Sequence, residues 1–166
     1  MRDDHSLVKR EDLAQLEMPI LYYSVTCLDD QKTVVLTGGW RCDFKDKLMP
    51  SAQAHMMQGL TPSDSIWGNQ GLPDLIMARQ CHTSCSIGHR VYVFCGMSAV
   101  GGQAIRYIET LDVEKECAWR LLSDFNLTQR TNAAVTRISD NEILIMGGNS
   151  ISNCDTPLAD GFVYNT

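Results

Sequence analysis

The stretch Asn141–Asn149, Asn-Glu-Ile-Leu-Ile-Met-Gly-Gly-Asn, is the feature that most constrains the fold of this chain. An apolar run of strand length ends in two glycines, which permit backbone conformations that a residue with a Cβ atom resists. The same pattern occurs upstream at Lys32–Gly39 and, with Cys95 in place of the first glycine, at Arg90–Gly96. The copies lie about 50 residues apart, a period that is typical of propellers and related arrays. The sequence therefore predicts an all-β fold built from repeated antiparallel sheets.

The repeats divide the 166 residues into four segments. Residues 1–15 are an N-terminal segment, for which a short helix and an outer strand are both open alternatives. Residues 16–72 form the first repeat, with a long and weakly patterned insert at 40–64. The second repeat covers residues 73–125. The third covers residues 126–166 and stops before its expected fourth strand.

Each repeat is expected to begin with a hairpin and to continue with further strands. Runs of β-branched and aromatic residues, bounded by Gly, Asp and Asn, mark these strands. The predicted strands cover residues 20–27, 33–37 and 65–68 in the first repeat, 81–87, 91–95, 105–113 and 119–122 in the second, and 132–138, 143–146 and 161–165 in the third. Four strands joined by short turns make an up-and-down antiparallel sheet. The third strand of the first repeat has no recognisable pattern.

Composition limits the functional classes that fit the chain. The formal net charge of −6 disfavours a general nucleic-acid or anionic-membrane binder. No apolar run approaches the ~18–20 residues that span a bilayer. The polar start Met1–His5 has no secretory signal, and seven cysteines without such a signal suggest reduced thiols. A cytoplasmic location is therefore expected.

No set of residues predicts catalysis or metal binding. Cys81, His82 and Cys85 are close in sequence, but on a strand the first and last share one face while His82 points to the other. No paired C-x-x-C motif is present, and no glycine-rich phosphate loop opens a helix. We therefore predict no catalytic residue, no metal ligand and no cofactor.

The predicted binding face is the side where the longer loops emerge. Because neighbouring strands alternate in direction, the loops after strand two and after strand four lie on one side of each sheet, and such loops often carry function. Four arginines lie at or beside them, namely Arg41, Arg79, Arg106 and Arg130. Arginine binds carboxylates bidentately, so an acidic peptide is the expected ligand. The alternative is that Arg79 and Arg130 hold the loops through backbone carbonyls.

The three repeated segments resemble the Kelch repeat, whose pattern runs from an arginine through a Gly-Gly pair to a Tyr-Asp pair and a tryptophan. The resemblance covers about residues 16–166. Its structural residues here are Gly38, Gly39, Trp67, Gly96, Asp112, Trp119, Gly147, Gly148 and Tyr164. Three positions depart from the pattern: Cys95 replaces a glycine, Leu111 replaces a tyrosine, and Tyr22 stands where the first repeat would place its arginine.

The resemblance implies blades of four strands around a central channel, with Trp67 and Trp119 packed between blades. Propellers close with ~4–8 blades, so about three blades make an incomplete propeller that is part of a larger assembly or self-associates. Similar proteins are non-catalytic protein–protein interaction modules or scaffolds, some of them on the cytoskeleton. Three alternatives stay open. The chain could be the substrate-recognition part of a cullin-type ubiquitin ligase adaptor, although no BTB segment is visible. It could also be a propeller enzyme of the galactose oxidase or sugar epimerase type, or a structural subunit without a separate ligand.

Overall fold

The computed structural model describes residue 16 and residues 19–42, 48–59, 66–68, 71–98, 102–122, 129–151 and 156–166. Every regular element in this part of the chain is a β-strand, and all strand pairs are antiparallel. The predicted all-β class is therefore confirmed. None of the sheets described closes into a barrel or a ring. The N-terminal segment 1–15 lies outside the described residues.

The first repeat unit consists of a four-stranded sheet and a smaller one. Its strands are β1 (Ile20–Leu21), β2 (Ser24–Cys27), β3 (Thr33–Thr37), β4 (Trp40–Cys42), β5 (Leu48–Pro50), β6 (Ala54–Gln58) and β7 (Ile66–Gly68). The main sheet has the order β2-β3-β6-β7, and the small sheet has the order β1-β4-β5.

The second and third repeat units follow the same plan. The second contains β8 (Arg79–Gln80), β9 (Thr83–Ile87), β10 (Arg90–Phe94), β11 (Met97–Ser98), β12 (Ile108–Asp112) and β13 (Arg120–Leu122). Its main sheet has the order β9-β10-β12-β13, and β8 pairs with β11. The third contains β14 (Arg130–Thr131), β15 (Ala134–Arg137), β16 (Glu142–Met146), β17 (Asn149–Ser150) and β18 (Gly161–Asn165). Its main sheet has the order β15-β16-β18, and β14 pairs with β17.

Strand register makes the units equivalent residue by residue. In each unit two residues of a short strand precede a residue with positive φ, after which the first strand of the main sheet begins; those positive-φ residues are Tyr22, Cys81 and Asn132. This register places Ile20, and not Tyr22, at the position of Arg79 and Arg130. The expectation that Tyr22 stands in the arginine position is therefore corrected, because Tyr22 occupies the left-handed position two residues later.

Two other stretches differ from the sequence-based expectation. Residues 40–64, expected as a weakly patterned insert, contribute β4, β5 and β6, and β6 is the missing third strand of the first main sheet. Ala54, Met56 and Met57 in β6 are all buried, so the strand is covered on both faces and lacks the alternation by which half-buried strands are recognised. The expected strand at 20–27 is interrupted at Tyr22, whose φ is 56°.

The hydrophobic core lies between the main sheets. One buried cluster joins Val35 and Met56 of the first unit to Val91 and Trp119 of the second. Another joins Phe94 of the second unit to residues of the third such as Ile143 and Ile145. Burial of each large apolar side chain contributes roughly 1.5–3 kcal/mol. The contacts between sheets therefore stabilise the row that the three main sheets form.

The first strands of the three main sheets lie side by side. Ser24 Oγ in β2 is 2.7 Å from Ser84 Oγ in β9. The carboxylate of Asp29, in the turn after β2, accepts hydrogen bonds from the Gly88 amide at 3.0 Å and from Arg137 of β15 at 2.6 Å. The three units therefore converge at the turns that follow their first strands. No helix among the described residues has the length and apolar composition needed to cross a bilayer.

Candidate functional site

Arg79 is fully buried in the second unit and is held by partners inside the sheet. Its Nη1 donates to the Cys95 carbonyl at 3.0 Å, and its Nη2 lies 2.6 Å from Glu109 Oε1. Burial lowers the pKa of Arg79, while the charge of Glu109 opposes that shift. The Glu109 carboxylate also accepts hydrogen bonds from the amides of Ile76 at 2.6 Å and Met77 at 3.2 Å. The pair therefore fixes the loop that precedes the second unit.

Arg130 has the equivalent position in the third unit and equivalent backbone contacts. Its Nη1 donates to the Gly147 carbonyl at 2.8 Å, and its Nη2 donates to Asp160 Oδ1 at 2.9 Å. The guanidinium carbon also lies 4.8 Å from the centre of the Phe162 ring, within the range of a cation–π contact. Arg130 thus ties the glycine pair of its unit to the start of β18.

The four predicted binding arginines therefore separate into different environments. Arg79 and Arg130 are buried, and both donate to backbone carbonyls, as the alternative interpretation states. Arg41 is half-buried in β4, opposite Ile20. Arg106 is exposed in the loop between β11 and β12. The structure does not bring the four together, and only Arg106 lines the groove described next.

A groove of about 440 Å³ lies between the second and third units. It is lined by residues 103–107 together with Met77, Gln129 and Ile151. Residues 103–107 and Ile151 belong to loops after second strands, whereas Met77 and Gln129 belong to loops that precede first strands. The groove thus lies on the loop face that the alternation of strand direction predicts. No sequence pattern indicates Met77, Gln129 or Ile151 as groove residues.

Arg106 is the cationic group of the groove. When the Gln129 amide oxygen is turned towards it, that oxygen accepts from Arg106 Nη2 at 2.5 Å and from Nε at 3.1 Å. The backbone of the groove wall is also held in place by the buried Arg79, which donates two hydrogen bonds of 3.5 Å to the Tyr107 carbonyl. The Ile105 amide donates to the Gly96 carbonyl at 3.0 Å. An exposed guanidinium is therefore presented beside the apolar side chains of Met77 and Ile105 on a well-supported loop.

The residues expected to be structural take up varied positions. Trp119 is buried between the first two units, and its indole Nε1 donates to the Pro73 carbonyl at 2.8 Å. The Tyr164 ring lies 5.8 Å from that of Phe94, across the second interface. Trp67 is half-buried. Asp112 lies at the end of β12, where its carboxylate is 3.7 Å from Arg90.

Buried histidine and cysteine side chains form no reactive group in the part described. His82 is buried between the first two units, and its Nε2 lies 3.0 Å from Thr37 Oγ1. Burial and the charge of Arg79 lower the pKa of His82 to about 3, so its ring is neutral near pH 7. Burial raises the pKa of Cys95 to about 11, which keeps it a thiol. No group of three or more His, Cys, Asp or Glu residues suited to a metal ion occurs among the described residues.

Comparison with models of known protein families finds no match for this sequence. Comparison with curated proteins likewise finds no significant match. The resemblance to the Kelch repeat therefore depends on the residues of this chain alone.

Proposed function

We propose that this chain is a protein–protein interaction module built from Kelch-type propeller blades, with no catalytic role. Three features support the Kelch interpretation. The units share one register, their first strands lie side by side, and the buried arginines of two units donate to the carbonyl at the first glycine position. The module would act as a scaffold or receptor, and its partner would bind on the loop face.

The groove beside Arg106 is the observation that carries this proposal. It is formed by loops from two neighbouring units, and its exposed guanidinium lies among apolar side chains. A peptide with a carboxylate next to an apolar side chain matches both features, because Arg binds carboxylates bidentately and apolar contacts add burial. The preferred ligand is therefore an acidic segment of another protein.

Selection from a library of displayed random peptides tests this proposal. Peptides retained by the chain are expected to be enriched in Asp or Glu, and the Arg106→Glu substitution should weaken their binding at least about tenfold, or ~1.4 kcal/mol. Arg120→Glu is the matched control, because Arg120 is also an exposed arginine but lies on β13, outside the groove. The proposal fails if no peptide is selected, or if both substitutions have the same effect.

A further inference from the structure

The two ends of the row of sheets are exposed on opposite sides. In the middle unit, residues on both faces of β9 are buried, including Ser84, Cys85 and Ser86. In β2 of the first unit, Val25 and Cys27 are exposed while the intervening Thr26 is buried. Because alternate residues of a strand face opposite sides, the first unit is open only on the face turned away from the second.

The third unit is open on the other side. In β15, Ala134 and Thr136 are exposed, whereas Val135, which packs against the second unit, is half-buried. The same face continues outward with the exposed side chains of Met146 and Val163. Each internal interface joins one face of a unit to the opposite face of the next unit. The open face of the third unit corresponds to the first of these faces, and the open face of the first unit corresponds to the second.

Backbone hydrogen bonds at the internal interfaces show which donor and which acceptor each open face must supply. The positive-φ residue of one unit donates its amide to the carbonyl of the preceding one, from Cys81 to Tyr22 at 3.1 Å and from Asn132 to Cys81 at 2.9 Å. At the ends, the Asn132 carbonyl and the Tyr22 amide make no hydrogen bond with described residues. The first end therefore presents the donor that matches the acceptor at the other end.

Side-chain volume is complementary in the same way. Between the first two units, a Cβ atom on Gly38 would lie 2.7 Å from His82 Cε1, so the imidazole fills the space beside the glycine. Among the described residues, the equivalent Gly147 on the third unit has only the Leu158 carbonyl near its Cβ position, at 3.3 Å. The residue equivalent to His82 in the first unit is Tyr23, which is 45% exposed. A tyrosine is thus available at one end, and at the other end the space beside Gly147 is not filled by any side chain of the described residues.

We propose that a second copy of this chain binds head to tail, with its first unit against the open face of the third. In this arrangement Ala134 faces Val25 of the second copy and Thr136 faces its Cys27, as Ser24 faces Ser84 and Thr26 faces Ser86 within one chain. The second copy is the occupant because its exposed Tyr23 and its Tyr22 amide lie in the required register. Two copies that meet at both ends leave neither face exposed, so the expected product is a closed dimer.

Light scattering coupled to size-exclusion chromatography of the full chain tests the association. Twice the mass of the chain is expected, and a monomer throughout a concentration series overturns the proposal. Val25→Glu should convert the dimer to monomer, since it places a charge in the contact. Leu121→Glu is the matched control: Leu121 is 41% exposed and Val25 48%, but Leu121 lies on β13, away from both ends. A dimer that survives Val25→Glu contradicts the head-to-tail contact.

A disulfide tests the register independently. Thr26 Oγ1 and Ser86 Oγ lie 3.4 Å apart within the chain, so side chains at equivalent positions are within reach of each other. Thr136→Cys should therefore form an intermolecular disulfide with Cys27 under mild oxidation, visible as a dimer band on a non-reducing gel. Adding Cys27→Ser should abolish the band, whereas Cys117→Ser should not. A band that persists without Cys27, or its absence in Thr136→Cys, refutes the proposed contact.

Discussion

The second and third units hold an arginine at the same position but neutralise it with different groups. Arg79 pairs with Glu109, whose side chain is fully buried, whereas Arg130 pairs with Asp160, whose side chain is 51% exposed. The strand position of Glu109 in β12 is taken in β18 by Phe162, since these residues face Val93 and Ile145 in equivalent registers. In the first unit Ile20 replaces the arginine altogether.

The bond common to both sites is the one from the guanidinium to the carbonyl at the first glycine position. That bond uses only the backbone of the acceptor, so it survives the replacement of glycine by Cys95. The carboxylate, in contrast, comes from a different element in each unit. The two arginine sites should therefore contribute different amounts to the free energy of unfolding, although their geometry is similar.

The largest difference is expected when each carboxylate is replaced by its amide. Glu109→Gln leaves the buried charge of Arg79 without a counter-ion and turns its NH2 group towards either the Ile76 amide or the Met77 and Arg79 donors, at an expected cost of about 3–5 kcal/mol. Asp160→Asn keeps an acceptor at a site that water reaches, so its cost should stay below about 1 kcal/mol. Urea unfolding at neutral pH measures both.

A double substitution separates pairing from packing at the second-unit site. Arg79→Met combined with Glu109→Leu removes both charges, and it should recover much of the stability lost in Glu109→Gln, as buried pairs replaced by apolar residues often do. Equal losses for Glu109→Gln and Asp160→Asn would show that burial of the carboxylate does not distinguish the units.

The two glycines of the third unit give a smaller contrast, for which Cys95 of the second unit is the reference. Gly148 has a φ of 90°, and a Cβ atom there would collide with the Thr131 carbonyl and lie 3.0 Å from the Ala133 amide nitrogen. Gly147 has a φ of 62°, and Cys95 tolerates nearly the same value, 61°, in the second unit. Gly148→Ala should cost about 2–4 kcal/mol, from backbone strain and steric collision. Gly147→Ala should cost about 1 kcal/mol.

Thermal and urea unfolding of the two alanine variants, side by side, check this contrast. A Gly147→Ala variant as unstable as Gly148→Ala would mean that Cys95 is tolerated only because of its own neighbours. Those neighbours are distinctive: Cys95 and Ala133 belong to one buried cluster, while at the preceding interface Gly38 is covered by the larger His82. At the first interface the small residue, Gly38, therefore belongs to the earlier unit, whereas at the second interface the small residue, Ala133, belongs to the later unit.

The repeated apolar run and glycine pair predicted most of the strands in the described residues. The second strands at 33–37, 91–95 and 143–146 were found within a residue of their predicted ends, because their β-branched residues are bounded by turns and glycines. The sheet strand β6 was not foreseen, since its histidine, methionines and glutamine carry no strand signal and both of its faces are covered. The break at Tyr22 was also missed, because an aromatic residue is unusual in the left-handed region.

The candidate site was predicted only in part. Alternation of strand direction pointed to the loop face on which the groove lies, and Arg106 was one of the four arginines named there. It could not separate Arg106 from Arg79 and Arg130, because the sequence does not show which guanidinium is within reach of a buried carbonyl. Gln129 and Met77 depend on how two units pack together, and a local pattern carries no record of such distant contacts.

A pH-dependent effect is expected at His82, whose equivalent in the third unit is Ala133. The imidazole is neutral when folded, with a pKa of about 3, whereas an unfolded chain takes up a proton near pH 6.5. The unfolded state therefore binds more protons between these values, and stability falls as pH falls through that range. From about pH 7.5 to pH 5.5 the loss of folding stability due to His82 should be about 1.4 kcal/mol.

Urea unfolding at both pH values, compared between this protein and the His82→Gln variant, checks the prediction. The variant should lose that much less stability over the same pH range. Carboxyls of lowered pKa, such as Asp29 and Glu116, titrate below this range and leave the comparison unaffected. An equal pH dependence in the two proteins would mean that the folded chain accepts a proton at His82.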